Sequence, residues 1–223
     1  MEMASSIQVL LTTTFLLFIL PYSQCGCSLK HTGRTYEGDG EGEVQYLDRH
    51  YVDCYNGALN FLKLERRNAY SDIRYAYKCC DQGLLGVKWS GKTSERLLMG
   101  FKGSRYSIWE LGKGDGMKMD CGSDGAISSF VLKTNWSLHL VFGHYEYTCV
   151  KINNNHYPHF EHKSQRARVK RHLAYLDRLQ ANCGKGVIKS HKFNLPEGDD
   201  LSHINSWVKM AEEVWCRCPT GGC

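Results

Sequence analysis

Cys54-Tyr-Asn-Gly57-Ala-Leu-Asn-Phe61-Leu-Lys-Leu64, a polar stretch, and then Ile73-Arg-Tyr75-Ala-Tyr77-Lys-Cys79-Cys80 decide how the rest of the chain reads. The first half is an apolar, mostly aliphatic run opened by a glycine. The second half alternates Ile73, Tyr75, Tyr77 and Cys79 with Arg74, Ala76 and Lys78. A period of two among β-favouring residues marks a half-buried strand, because successive side chains point to opposite faces. The intervening Glu65-Arg-Arg-Asn-Ala-Tyr-Ser-Asp72 is polar and suits a loop. The stretch is therefore a β-hairpin with cysteines at both ends.

The unit recurs. Cys121-Gly-Ser-Asp-Gly125-Ala-Ile-Ser-Ser-Phe130 repeats its opening, and Tyr145-Glu-Tyr147-Thr-Cys149 repeats its close. A more divergent third copy opens with Cys183-Gly-Lys-Gly186-Val-Ile, carries Phe193 and Leu195, and closes with Val214-Trp-Cys216-Arg-Cys218. The lead-ins match as well: Tyr46-Leu-Asp-Arg49 precedes Cys54 at the same spacing as Tyr175-Leu-Asp-Arg178 precedes Cys183. A period of roughly 65 residues is long for a solenoid and suits a small disulfide-closed module. The expected fold is mainly β with a minor helical C-terminal part: disulfide-rich, with three related modules of antiparallel strands. The modules fall at 46–82, 121–150 and 175–223. Residues 83–120 supply connecting strands, such as Leu84–Trp89, between glycine and serine turns.

Residues 1–25 read as a secretory signal peptide. Ile7 to Leu20 is mostly apolar but short for a membrane span, Pro21 ends it, and Ser23-Gln-Cys25 supplies small residues at a cleavage site. The n-region departs from the pattern, with Glu2 and no basic residue. Cleavage after Cys25 turns 11 cysteines into ten: Cys27, Cys54, Cys79, Cys80, Cys121, Cys149, Cys183, Cys216, Cys218 and Cys223. An even set in an exported chain implies a disulfide framework. The repeats suggest Cys54 with Cys79 or Cys80, Cys121 with Cys149, and Cys183 with Cys216 or Cys218, leaving four unassigned. The terminal Cys223 should be tied down by a bridge. Zinc is the rival use of Cys79-Cys80 and Cys216-Arg-Cys218, but these spacings are not those of zinc knuckles.

The remaining stretches carry the functional signals. Residues 26–45 are Gly-rich and acidic and read as an exposed lead-in; no twelve-residue calcium-ligand pattern fits them. Asn135-Trp-Ser137 is an N-glycosylation sequon in the loop of the second hairpin. Residues 151–174 read as a polar, His-rich and basic loop, because Pro158 sits among the histidines and argues against a helix. Within it Lys163, Arg166, Arg168, Lys170 and Arg171 are dense enough to attract acidic glycans. Arg168-Val-Lys170-Arg171 also has the form of a processing site cut after Arg171. Leu201, Ile204, Trp207, Val208, Ala211 and Val214 follow helical spacing, so a helix is expected across 201–213.

No nucleophile elbow, zinc-protease helix, dinucleotide loop or phosphate loop is present, so nothing in the sequence points to catalysis or to a cofactor. Loss of Glu2 with the leader would raise the formal charge from +5 to +6, a modest basic balance compatible with anionic partners. Thirteen tyrosines and five tryptophans favour strands and aromatic contact surfaces.

Cys54, Gly57, Phe61, Asp72, Arg74, Tyr75, Tyr77, Cys79 and Cys80, with Cys121, Gly125, Phe130, Tyr145, Tyr147 and Cys149 in the second copy, resemble the repeats of the dermatopontin family of secreted, tyrosine-rich matrix proteins. The family's Asp-Arg-x-Trp signature is only approximated by Asp72-Ile-Arg74-Tyr75 and is missing from the second copy. The resemblance implies a compact β fold that binds extracellular matrix proteins or glycosaminoglycans, with lectin activity in some relatives. The expected function is thus a secreted binding protein for matrix proteins or acidic glycans, with no nucleic-acid partner and no membrane span; the sequence does not specify an oligomeric state. The alternatives are a secreted effector, toxin or hormone-like precursor processed after Arg171, and a hydrolase whose site assembles only in the fold.

Overall fold

The computed structural model describes residues 26–35, 44–67, 72–97, 111–113, 116–137, 140–169, 173–195 and 208–223. The leader expected at 1–25 lies outside them. The strands, in chain order, are β1 (Ser28–His31), β2 (Val52–Asp53), β3 (Ala58–Arg66), β4 (Ile73–Cys80), β5 (Leu84–Lys92), β6 (Arg96–Leu97), β7 (Met119–Asp120), β8 (Gly125–Ser137), β9 (Leu140–Ile152), β10 (His159–Val169), β11 (Gln180–Asn182), β12 (Val187–Asn194) and β13 (Val208–Cys218). All their pairings are antiparallel. The mainly β, three-module architecture expected from the repeats is the one observed.

The hairpins β3–β4, β8–β9 and β12–β13 are the three repeats. Each sits in its own sheet, with orders β1-β4-β3-β11, β5-β9-β8-β2 and β10-β13-β12-β7. In each sheet a strand that precedes the module in the chain pairs with its closing strand. The opening strand pairs with a short strand from the lead-in of a different module. That second exchange is cyclic: β2 of module 1 pairs β8 of module 2, β7 of module 2 pairs β12 of module 3, and β11 of module 3 returns to β3 of module 1. The modules therefore close on one another as a ring of three, and β3, β8 and β12 each touch the other two.

One irregularity, repeated three times, fixes this closure. Every hairpin has a bulge at the same place, between Leu59 and Phe61, Ile127 and Ser129, and Ile188 and Ser190. A bulge leaves one residue without a ladder partner and free to bond elsewhere. Here the bulged residues are Asn60, Ser128 and Lys189. Their carbonyls accept the backbone N–H of Cys183, Cys54 and Cys121 at 3.0, 2.9 and 3.1 Å, each from a different module. Asn60 adds a second stitch, its buried amide donating to the carbonyls of Gly184 and Gly186.

All ten cysteines outside the expected leader are bridged. Cys54–Cys79, Cys121–Cys149 and Cys183–Cys216 close the three modules at equivalent positions. Cys27–Cys80 fastens the N-terminal strand to module 1, and Cys218–Cys223 ties down the C-terminus. The thiols considered for zinc are thus all oxidised.

The inward positions of the closing strands meet at the ring's centre. Four residues before the closing cysteine stand Tyr75, Tyr145 and Glu212, all buried. Phe130 lies edge-on to both tyrosine rings at 5.7 and 5.8 Å, and the two phenols hydrogen-bond to each other. Burial, with Glu212 nearby, pushes both phenols well above the ordinary tyrosine range. Glu212 pairs with buried His191 at 2.8 Å and leaves its other carboxylate oxygen without a hydrogen-bond partner.

Three expectations are corrected. Residues 159–169, read as part of a loop, form β10, paired residue for residue with β13 from His159↔Cys218 to Val169↔Val208. As an outer strand it is exposed on both faces for most of its length, so it lacks the alternation that identifies half-buried strands. Residues 208–213, read as the end of a helix, are the start of β13; residues 201–207 lie outside the described residues. Met210, Glu212, Val214 and Cys216 are the inward, buried set. A glutamate at a core position hid the period of two. Part of the 26–45 lead-in is also strand: β1 pairs with β4.

Candidate functional site

Two surfaces stand out, one expected from sequence and one not. The expected one is the basic run. Arg166 and Arg168 project from the same face of β10, both exposed, whereas Lys163 lies on the opposite face, beside Glu161 at 3.6 Å. Arg168 stands directly across from Lys209 of β13. Arg178 joins them: its guanidinium donates to the Arg168 carbonyl at 2.9 Å and lies over the Tyr175 ring. Gln165 holds this geometry, donating to the Arg178 carbonyl and accepting the Gln180 N–H. No acidic group pairs with Arg166 or Arg168 among the described residues. Lys170 and Arg171 lie outside the described residues, and Arg168, the first residue of the processing motif, is within the paired part of β10.

The second surface lies on the outer face of module 2. A groove of about 410 Å3 runs across β5, β8 and β9, lined by Tyr51, Ser90, Lys92, Ser129, Glu146 and Thr148. Its volume is within the range of small-molecule sites. The register explains why it is open. Thr148 faces Ser90 on one side and Ser129 on the other. The equivalent place in module 3 holds Trp215, between His162 and Ser190. Trp215 stacks on His162 at 4.6 Å with Lys118 and Lys192 over its ring, so that face is filled.

The turn after Cys54, whose backbone is hydrogen-bonded to β8 and β5, holds a strained aromatic residue. The residue after the first cysteine of each module has a positive φ: Gly122 at 69° and Gly184 at 58°, but Tyr55 at 53° in module 1. The same turn chemistry holds all three, with the side chain of Asp53, Asp120 or Asn182 accepting the backbone N–H at 2.7–3.0 Å. A left-handed conformation costs a residue with a Cβ on the order of 1 kcal/mol relative to glycine. Tyr55 nonetheless occupies it with its side chain exposed. Ser128 and Lys88 both donate to its carbonyl, and Lys30 lies 4.9 Å from its ring centre. Tyr51 is exposed as well, and burial, with Asp53, Tyr55 and Tyr51 nearby, raises the pKa of Tyr77.

Asn135 is exposed near the tip of the β8–β9 hairpin, in strand rather than loop. Sequence reasoning passed over Tyr51 and Tyr55. The signal available was the mismatch of Tyr55 with Gly122 and Gly184 after an aligned cysteine.

His50 is fully buried beneath the N-terminal strand. Its two ring nitrogens meet the hydroxyls of Thr32 and Thr35 at 2.9 and 2.8 Å, a pattern that a neutral imidazole satisfies by donating at one nitrogen and accepting at the other. Burial, reinforced by Arg49, lowers its pKa to about 4.

No family model matches this sequence, and no curated protein or solved structure matches it either.

Proposed function

We propose that this is a secreted extracellular binding protein for acidic glycans, and that Arg166, Arg168, Arg178 and Lys209 form its polyanion contact. The observation that carries this reading is the placing of Arg168 opposite Lys209, with the Arg178 guanidinium anchored on the Arg168 backbone. That arrangement gathers several cations along one strand edge, which suits a ligand that brings regularly spaced sulfates or carboxylates. Arginine suits such groups because its planar fork bonds two oxygens at once. Five disulfides are in keeping with an oxidising, extracellular setting, and the repeat motif's resemblance to the dermatopontins points to the same ligand class.

The test is retention on immobilised heparin. The Arg166→Ser/Arg168→Ser variant should elute at markedly lower salt than the wild type, whereas Lys163→Ser, which removes the partner of Glu161 on the other face, should shift elution little. An unchanged elution salt for the double variant overturns the reading.

A further inference from the structure

We propose that the groove of module 2, with Tyr51 in its lining and Tyr55 on the adjoining turn, is a second and separate binding site, which takes the pyranose rings of a neutral oligosaccharide. The ligand class rests on the glycan reading above, but the site shares no residue with the basic edge of β10.

Three features point the same way. The first is the lining: Ser90, Ser129 and Thr148 present hydroxyls, and Glu146 and Lys92 add a carboxylate and an ammonium. Such a mixed set donates to and accepts from sugar hydroxyls without demanding a net charge on the ligand. Lys92 is already balanced by Glu95 at 3.3 Å, and Glu146 lies 3.4 Å from His144. The groove is therefore no counterpart of the unbalanced cations on β10.

The second is the pair of exposed tyrosines. Tyr51 and Tyr55 are 56% and 70% exposed, in a molecule that buries Tyr75, Tyr145 and Tyr157. The C–H face of a pyranose stacks on such rings while its hydroxyl edge turns to the polar lining. The Tyr55 backbone is held to two of the three strands that build the groove, since Ser128 of β8 and Lys88 of β5 donate to its carbonyl, while Lys30 lies 4.9 Å from its ring centre.

The third is the position of Tyr55 itself. In the two sister turns glycine performs the structural task. Tyrosine adds nothing that the turn needs, and a side chain kept in a disfavoured conformation and turned to solvent is the mark of a contact residue.

Module 3 supplies the means of closing the groove with a residue its own framework already accepts: Trp215 occupies the place of Thr148. The experiment is a titration of full-length protein with neutral trisaccharides (maltotriose, cellotriose, mannotriose, chitotriose and β-1,4-galactotriose), followed by saturation-transfer NMR and calorimetry, beside thermal melts. The wild type should bind at least one of them. Tyr55→Gly should melt at the wild-type temperature or above, yet bind at least tenfold more weakly. Thr148→Trp should remain folded by circular dichroism and lose binding to the same degree. Both variants should keep wild-type retention on heparin. The proposal is overturned if no trisaccharide binds, or if Tyr55→Gly and Thr148→Trp bind as the wild type does. Heparin retention separates the two readings: its loss in the β10 variants with no trisaccharide binding rejects the groove alone, and trisaccharide binding with unchanged heparin elution rejects the basic edge alone.

Discussion

Modules 2 and 3 share their strand register, bulge, disulfide and opening glycine, yet they differ on both faces of the sheet. Outside, Trp215 fills the place that Thr148 leaves open. Inside, Glu212 and His191 stand where module 2 has Tyr145 and Phe130. The backbone repeat is thus specified by a small set of residues that control the chain's path: the cysteines, the left-handed turn after the first of them, and the bulge. Side chains that do not set the path are free to diverge, and it is there that the chemistry of each module lies.

The comparison can be broken most forcefully at the centre. Glu212→Ala leaves the buried His191 ring without its partner and opens a cavity in the core, which together cost about 2–4 kcal/mol. Tyr145→Phe, at the equivalent position, removes one phenol hydrogen bond, for about 1 kcal/mol. Denaturant unfolding of the two variants should show that gap; equal losses would mean that the centre treats the three modules alike.

Acid should separate the modules next. The His50 pKa is lowered from 6.5 to about 4, so the unfolded chain takes up a proton between those values and the folded chain does not. The contribution of His50 is complete above pH 6.5 and falls away as pH drops towards 4, by about 3 kcal/mol in all. The loss should begin in the N-terminal strand, which His50 holds through Thr32 and Thr35, while β10, paired along its whole length, keeps its protection. Hydrogen exchange at pH 7 and pH 5 checks this, and His50→Gln should abolish the difference.

The smallest effect sharpens the comparison of turns. Tyr55→Gly makes the module 1 turn like its sisters and should gain about 1 kcal/mol. A loss of stability instead would show that the exposed ring is a structural prop.

The hairpins, the module-closing bridges and the matched lead-ins were legible because cysteines, glycines and alternation are local signals. Val44–Arg49 and Leu173–Arg178 do form equivalent helical turns, each with its arginine over its tyrosine. The ring closure was not legible, since β2 and β7 are two residues long and carry no periodicity. Nor was β10, whose exposed outer position removed the apolar half of the pattern, or β13, where Glu212 interrupts it. Of the functional surfaces, the basic run could be read as charge density. The groove could not, because it arises from what Thr148 and Ser90 omit relative to Trp215 and His162.

The central claim, that the edge of β10 reads a polyanion, is tested most directly by measuring heparin affinity over a series of salt concentrations. Each cation that displaces a condensed counterion adds about one unit to the slope of log K against log salt. The account predicts a steep slope for the wild type, reduced by about two in Arg166→Ser/Arg168→Ser and unchanged in Tyr55→Gly. A slope that does not respond to the double substitution would contradict it.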